Sequence, residues 1–442
     1  MRKLSSLLLV VSSFAFVGCS EEEGTTLEDT GSPDTGKADT AVAVDTGVAV
    51  DSGTDTGTAA DSTVTDSAAT DSTATDSTTT DSTATDSTAT DSSSTDSSGD
   101  SATTKTKTVW VLRVDGATTV TDGGTVADTA TSAPIFLAPF TINYGAAPTG
   151  TAGTVVAAPA AGTNAVSLPS SSSIGGLALS GNGKLVSFAA YHVAPGVADI
   201  AKTAPAVNKR AAVTVNAGGS FVVSDLGAEA NGASNSVRSA YTTDGGQFWI
   251  GAEDKGVTYN VGTTVTPLAA ANLRWVGTFG GQLYVSTGSG SGVLSGLGPG
   301  LLQVGTGLPT ATATLAKVNG PATGASPYGF VLLDTDSTAG ADTLLLCDTG
   351  SSTKGIQKWK LEGTTWTLKA THLASVTGGC QGLAAWLDGT DIIAVATTGE
   401  TPPKVVVLRD PLASTTAIAT GTTVDTAPAN AVFKGVALAP SP

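Results

Sequence analysis

Short apolar strands that recur in pairs limit most strongly what this chain can fold into. Residues 245–250 (GGQFWI) are followed by a second run at 255–257, and residues 280–285 (GGQLYV) by another at 291–293. The pairs 342–347 with 354–356 and 391–395 with 404–407 repeat this arrangement, and residues 183–188 fit it more loosely. Gly, Asp, Asn and Ser bound the runs, as is typical of strands joined by turns. The sequence therefore predicts a repeat of antiparallel strands.

A shorter apolar strand precedes each pair, near residues 176, 237, 273, 329 and 382, and a last one, Gly435–Ala439, lies at the C-terminus without partners. An inner strand, a turn, a second strand and a return strand make one blade of a β-propeller. The segment Trp110–Val114 could pair with the last strand, so that one blade is built from both ends and the sheet edges disappear. We therefore expect an all-β propeller of about six blades. Seven blades are the alternative, because residues 116–173 are long and poorly patterned.

This pattern resembles the propellers of the NHL and WD40 types over roughly three-quarters of residues 108–442. The resemblance depends on the spacing of the strands, since the Gly-His and Trp-Asp signatures of WD40 repeats are absent. A row of β-sandwiches or a β-helix would also give recurring strands, and either one is the structural competitor.

The N-terminus has the parts of a signal peptide: the basic start Met1-Arg2-Lys3, an apolar run to Val17, and Gly18-Cys19. Residues 16–19 (FVGC) resemble the lipobox of bacterial lipoproteins, although Leu is usual at the first position. The resemblance implies that residues 1–18 are removed and that Cys19 is acylated, which makes the membrane a partner. Ser20 instead of Asp then implies an outer-membrane lipoprotein of the cell envelope, exposed to the periplasm or the surface. An ordinary secretory signal is the alternative.

Residues 19–107 predict a disordered, acidic tether. An aspartate recurs every fifth residue from Asp61 to Asp96, a period that creates neither a helical nor a strand face. Residues 20–107 contain 19 acidic and three basic residues and no aromatic one, so they cannot bury enough apolar surface to offset their chain entropy. Weak calcium binding by these aspartates and O-glycosylation of the Thr and Ser residues both remain open.

The third segment, residues 108–442, forms the propeller and is close to neutral, with 19 acidic and 16 basic residues. The net charge of −17 therefore belongs mainly to the tether. With no basic patch in the head and an acidic segment before it, nucleic acid is not an expected partner.

Three groups of residues in the head are candidate sites. Cys347 and Cys380 could form a disulfide between adjacent blades in an oxidising compartment, or remain two buried thiols. Alternating carboxylates at Asp334, Asp336 and Asp342 resemble a calcium loop, but no Glu closes it, and a solvated turn is the alternative. Trp359 lies between two lysines, so one ring face could be exposed as a platform for a sugar or a peptide; packing between blades is the other interpretation.

No catalytic residues are predicted, and calcium is the one cofactor considered. The head has two histidines, His192 and His372, without metal-ligand spacing around them, and it has no nucleophile-elbow motif. We expect an envelope-anchored binding or scaffold module for a protein, peptide or glycan on the propeller face. The alternatives are a polysaccharide hydrolase or lyase and a structural or adhesion protein. Acidic residues with a histidine at the ring centre would favour the enzyme, whereas a channel lined by Gly, Ser and Thr would count against it.

Overall fold

The computed structural model describes residues 105–116, 131–171, 173–228, 236–319, 325–372, 376–417 and 421–442. The predicted signal peptide, Cys19 and nearly all of the predicted tether lie outside the described residues. Within these ranges the secondary structure is almost entirely β, with short 3-10 helices at Ile200–Lys202 and Gly292–Leu294. None of the described helices has the length and apolar character needed to cross a membrane.

The strands form six sheets, arranged around one axis as the blades of a propeller. The first blade contains β1 (Thr106–Asp115), β2 (Ile135–Asn143), β3 (Thr149–Ala152) and the short β4 (Val156–Ala157). The second contains β5 (Ala178–Leu179), β6 (Leu185–Tyr191), β7 (Arg210–Asn216) and β8 (Phe221–Asp225). The third contains β9 (Val237–Tyr241), β10 (Phe248–Ala252), β11 (Val257–Val261) and β12 (Thr264–Ala269).

The remaining blades follow the same order. The fourth contains β13 (Val276–Phe279), β14 (Gln282–Thr287), β15 (Gly300–Val304) and β16 (Leu315–Asn319). The fifth contains β17 (Pro327–Leu333), β18 (Thr343–Asp348), β19 (Gly355–Glu362) and β20 (Thr365–His372). The sixth contains β21 (Cys380–Asp388), β22 (Asp391–Thr398), β23 (Lys404–Pro411) and β24 (Thr422–Thr426), and the chain ends with β25 (Ala431–Leu438).

Strand β25 is the inner strand of the first blade, so both ends of the head build that sheet. It pairs antiparallel with β1, with Val111 opposite Val436 and Val109 opposite Leu438. The predicted closure is confirmed. The stretch from 116 to 173, which suggested a seventh blade, instead supplies β2 to β4 of the first blade within its described part. The propeller has six blades.

The predicted inner strands are confirmed as β5, β9, β13, β17, β21 and β25, although β13 begins only at Val276, the last residue of its predicted run. One predicted third strand is wrong. Residues 291–293 lie at a 3-10 helix, and the third strand of that blade begins at Gly300. Turn chemistry explains the sharp return between β13 and β14, because Gly280 and Gly281 both have positive φ, 56° and 76°, and Phe279 pairs directly with Gln282.

Apolar side chains from neighbouring blades form the core. Val111 and Phe140 of the first blade share one buried cluster with Val395 and Val405 of the sixth. Burying an apolar side chain of this size stabilises the fold by about 1.5–3 kcal/mol. Because each sheet covers a face of the next, no blade could bury its apolar residues alone, and this is why the recurring strands must form a ring.

Candidate functional site

Small residues let the six inner strands approach one another closely around the axis. A Cβ added to Gly382 would lie 2.3 Å from the Lys434 carbonyl oxygen, and one added to Gly435 would lie 2.3 Å from the Leu177 nitrogen. Ser239, which fills a corresponding place on β9, donates from Oγ to the Arg274 carbonyl at 2.8 Å. The sequence needs glycine or serine here because neighbouring backbones occupy the space of a larger side chain.

The indole of Trp275 lies across the ring at the end where the inner strands begin, which we call the upper face. A Cβ on Gly176, just before the inner strand of the second blade, would lie 2.8 Å from Trp275 Cγ. A Cβ on Gly329, on the inner strand of the fifth blade across the ring, would lie 3.1 Å from Trp275 Cζ3. Trp275 is 4% exposed, and its Nε1 has no hydrogen-bond partner among the described residues. The indole therefore narrows the central channel at its upper end.

Below Trp275 the channel contains a cavity of about 230 Å³. Residues at all six inner strands line this cavity. Most of their side chains are apolar, for example Leu177, Leu179, Val276, Phe330, Leu383 and Val436. Thr278 and Tyr241 are the polar side chains of this lining, which contains no carboxylate, histidine, lysine or arginine among the described residues. The channel therefore offers no acid and base pair for hydrolysis at its centre.

Three cationic side chains connect neighbouring blades on the upper face. The Arg238 Nη1 donates to Asn272 Oδ1 at 2.6 Å and to the Leu273 carbonyl at 2.9 Å. In this way a cation on an inner strand, or just before one, bonds the chain where it enters the inner strand of the next blade. Arg274 donates to Ser326 Oγ and to the Pro327 carbonyl, and Lys434 donates to the Ser170 and Ser171 carbonyls. These donors are used within the fold, so they do not form an anion-binding patch.

A polar groove of about 470 Å³ lies on the upper face between the third and fourth blades. Glu253 and Asp254, from the turn after β10, form one wall, and Ser289, Ser291 and Val293, from the segment after β14, form the other. Asp254 is exposed, and Val293 is 70% exposed. Glu253 is partly engaged, since its Oε2 accepts the Ser236 N–H at 3.3 Å and lies 3.4 Å from Arg238 Nη2. The groove combines acceptors, hydroxyls and one aliphatic contact.

The structure brings the two cysteines of the head together. Cys347, on β18, and Cys380, at the start of β21, are both fully buried, with their Cα atoms 4.7 Å apart and their sulfur atoms paired. This separation lies within the range that a disulfide requires. The pair joins the fifth blade to the sixth.

The three aspartates of the predicted calcium loop also meet, at the turn between β17 and β18. One carboxylate oxygen from each of Asp334, Asp336 and Asp342 lies within 4.8 Å of the others. Asp342 Oδ1 already accepts hydrogen bonds from the Thr335 and Thr343 hydroxyls, and Lys360 Nζ lies 3.8 Å away. Burial opposes ionisation of Asp342, but these hydrogen bonds and this charge outweigh it and hold its pKa below the ordinary value.

Trp359 is not the exposed platform that its lysine neighbours suggested. The side chain is 8% exposed, packs in the buried cluster of Leu344 and Leu346, and donates from Nε1 to Gln357 Oε1 at 3.0 Å. The prediction is wrong because Lys358 is itself fully buried, so the polar neighbour does not mark a solvent-exposed strand.

Neither histidine of the head belongs to the channel lining. His192 follows β6, where its Nδ1 contacts Asp225 and its Nε2 lies 2.6 Å from the Thr163 carbonyl oxygen. His372 ends β20 and is fully buried between the fifth and sixth blades. Both the groove and the position of Trp275 escaped the sequence analysis, because they depend on how different blades meet. The sequence does change abruptly after Thr287 from an apolar strand to a segment rich in Gly and Ser, and this change could have indicated one wall of the groove.

No protein-family model matches the sequence, and neither does any curated protein. Among solved structures, the chain is similar to one from a nidogen–laminin complex, with 13% identity, a TM-score of 0.41, and coverage of 75% of this chain and 98% of that chain. It is also similar to a proposed 6-phosphogluconolactonase from Bacteroides uniformis, with 12% identity, a TM-score of 0.37, and coverage of 72% and 83%. At these identities and scores, no property of those proteins is transferred to this chain.

Proposed function

We propose that the chain is an exported lipoprotein whose six-bladed propeller acts as a binding or scaffold module at the cell envelope. In this proposal, residues 1–18 are removed, acylated Cys19 holds the chain on the outer membrane, and residues 20–107 tether the head. The support for this anchoring comes from the residues of the N-terminal segment.

The chemistry of the central channel is the observation that carries the binding role. Most glycosidases hydrolyse the glycosidic bond with two carboxylates, one on either side of the scissile bond. The channel lining instead consists of Gly, Ala, Val, Leu and Phe, the indole of Trp275, and two neutral polar residues, Tyr241 and Thr278. Because this lining contains no such carboxylate pair, it gives no support to the polysaccharide hydrolase alternative, and we assign binding to the head.

The groove between the third and fourth blades is the proposed ligand site. Asp254 offers an exposed carboxylate, Ser289 and Ser291 offer hydroxyls, and Val293 offers an aliphatic surface. Acceptors of this kind bind N–H and O–H donors, which basic peptide segments and sugars both present. A peptide, protein loop or glycan is therefore the proposed ligand class.

Screening the soluble mature chain, with Cys19→Ser, on peptide and glycan arrays tests this assignment. Ligands of the groove should lose most of their signal with Asp254→Lys, which reverses the charge of an exposed wall residue. Val222→Lys, at a position 60% exposed on the outer strand β8, is the matched control and should retain the signal. If every ligand binds both variants equally, the groove is not the site.

Metabolic labelling with a palmitate analogue in a diderm bacterial host tests the anchor separately. The full-length chain should carry the label and sediment with outer membranes. Cys19→Ser should lose the label and appear in a soluble fraction. A labelled Cys19→Ser chain, or an unlabelled wild-type chain, would contradict the proposed lipidation.

A further inference from the structure

Three ionisable side chains meet in the buried interface between the fifth and sixth blades. Lys358 lies on β19, His372 at the end of β20, and Asp410 on β23. Their side chains are 0%, 0% and 1% exposed. Lys358 Nζ lies 3.0 Å from Asp410 Oδ2, and His372 Nε2 lies 3.3 Å from the same oxygen.

The two charged partners are bonded very differently. Lys358 Nζ donates to the Pro411 carbonyl at 2.8 Å and to the Ser414 carbonyl at 3.0 Å. Neither carboxylate oxygen of Asp410 has a hydrogen bond of acceptable geometry among the described residues. Removing an ion from water without replacing its hydrogen bonds is strongly unfavourable, so the ion pair is an unfavourable form of this site.

Lys434, another buried lysine of the head, also donates from Nζ to two carbonyls, those of Ser170 and Ser171, both at 2.6 Å. Two backbone carbonyls therefore receive a buried ammonium group at both positions. At the Lys358 site, the Asp410 carboxylate and the His372 imidazole lie beside that group as well.

We propose that Lys358 and Asp410 condense to an intramolecular amide that covalently joins the fifth and sixth blades. The Lys358 ammonium first transfers a proton to the Asp410 carboxylate, giving an amine and a carboxylic acid. The Nζ lone pair then attacks Cγ, the C–N bond forms, and the C–O bond to the protonated hydroxyl breaks to release one water molecule. No oxidant, reductant or other reactant is consumed.

His372 is placed to move the protons of this step. Its Nε2 lies beside Oδ2, so it can take the second proton from the attacking nitrogen and return it to the departing hydroxyl. The product amide keeps one N–H, which can still donate to the Pro411 or Ser414 carbonyl. Both buried charges disappear in the product, which removes the cost of burying an ion pair.

Intact mass spectrometry of the folded chain, made with Cys19→Ser and fully reduced before analysis, tests the proposal. We expect a mass lower than the sequence mass by that of one water molecule. Trypsin should fail to cleave after Lys358, and a peptide containing Lys358 should appear joined to one containing Asp410. Lys434 is the internal control, because trypsin should cleave after it normally.

Two variants define the chemistry. Lys358→Arg keeps the cation but cannot form the amide, so it should show the full sequence mass. His372→Gln should slow the appearance of the cross-linked form after refolding by about a hundredfold or more; an unchanged rate would remove His372 from the mechanism. If folded wild-type protein has the full sequence mass and trypsin releases Lys358 normally, the site is an ion pair and the proposal is wrong, whether or not the variants fold.

Discussion

The indole of Trp275 lies directly against Gly176, so closely that a Cβ on the glycine would sit 2.8 Å from Trp275 Cγ. Gly176 belongs to the connection before β5 and Trp275 to the connection before β13, two blades further around the ring. One large side chain thus narrows the upper end of the channel, and glycine at position 176 leaves the space that this side chain occupies.

Gly176→Ala should therefore destabilise the head. The added methyl group would contact Trp275 and would lie 2.9 Å from Ser239 Cβ. Overpacking of this kind typically lowers the free energy of unfolding by about 1–3 kcal/mol. Gly145→Ala is the matched control, because its nearest neighbour beyond the adjoining residues, Asn143 Oδ1, is 3.6 Å away, and its effect should stay within about 0.5 kcal/mol. Urea unfolding measures both, and equal stabilities would show that the indole does not occupy this place.

Cys347 and Cys380 should form a disulfide in exported protein. The denatured, unreduced chain carrying Cys19→Ser should then contain no titratable thiol, and reduction should lower the free energy of unfolding by about 2–4 kcal/mol. Two reactive thiols per chain after oxidative export would contradict this pairing.

The ionised carboxylate of Asp342 should stabilise the head at neutral pH. Because its pKa in the folded state lies below that in the unfolded state, the contribution is present above the unfolded value of about 3.9 and is lost as the pH falls through the folded value. Asp342→Asn should lower the free energy of unfolding by about 1–2 kcal/mol at pH 7. The difference in stability between the two proteins should disappear once the pH falls below the folded-state pKa of Asp342, and a difference that persists in acid would assign the effect to packing.

Calcium should bind the cluster of Asp334, Asp336 and Asp342 only weakly. Asp342 Oδ1 already accepts hydrogen bonds from two hydroxyl groups and lies near Lys360, so a cation bound through this oxygen would have to displace these partners. We expect millimolar calcium to leave the melting temperature unchanged. A rise that is abolished by Asp336→Asn would instead establish a calcium site.

The architecture followed from local patterns that the chain displays directly. Apolar runs bounded by turn residues predicted the blades. The strand at Gly435, which has no following partner in the sequence, predicted that the ring closes by pairing with Trp110–Val114. Both depend on short apolar runs between turn residues, and a run of this kind can be recognised within a short segment of the sequence.

The side-chain environments could not be obtained in this way. Trp359 looked exposed because Lys358 precedes it, yet Lys358 meets Asp410 of the next blade, more than 50 residues further along the chain. The groove likewise joins turns after β10 and β14, and the channel lining joins six separate strands. Such sites depend on how blades stack, and no local pattern records the partner across an interface.

Hydrogen–deuterium exchange of β25 in the full-length chain tests the closed six-bladed ring most directly. If β25 pairs with β1 as an inner strand, amides of residues 431–438 should exchange as slowly as those of β21, through global unfolding. Exchange of residues 431–438 at the rate of an unstructured tail, while β21 stays protected, would show that the ring is open and would contradict the account.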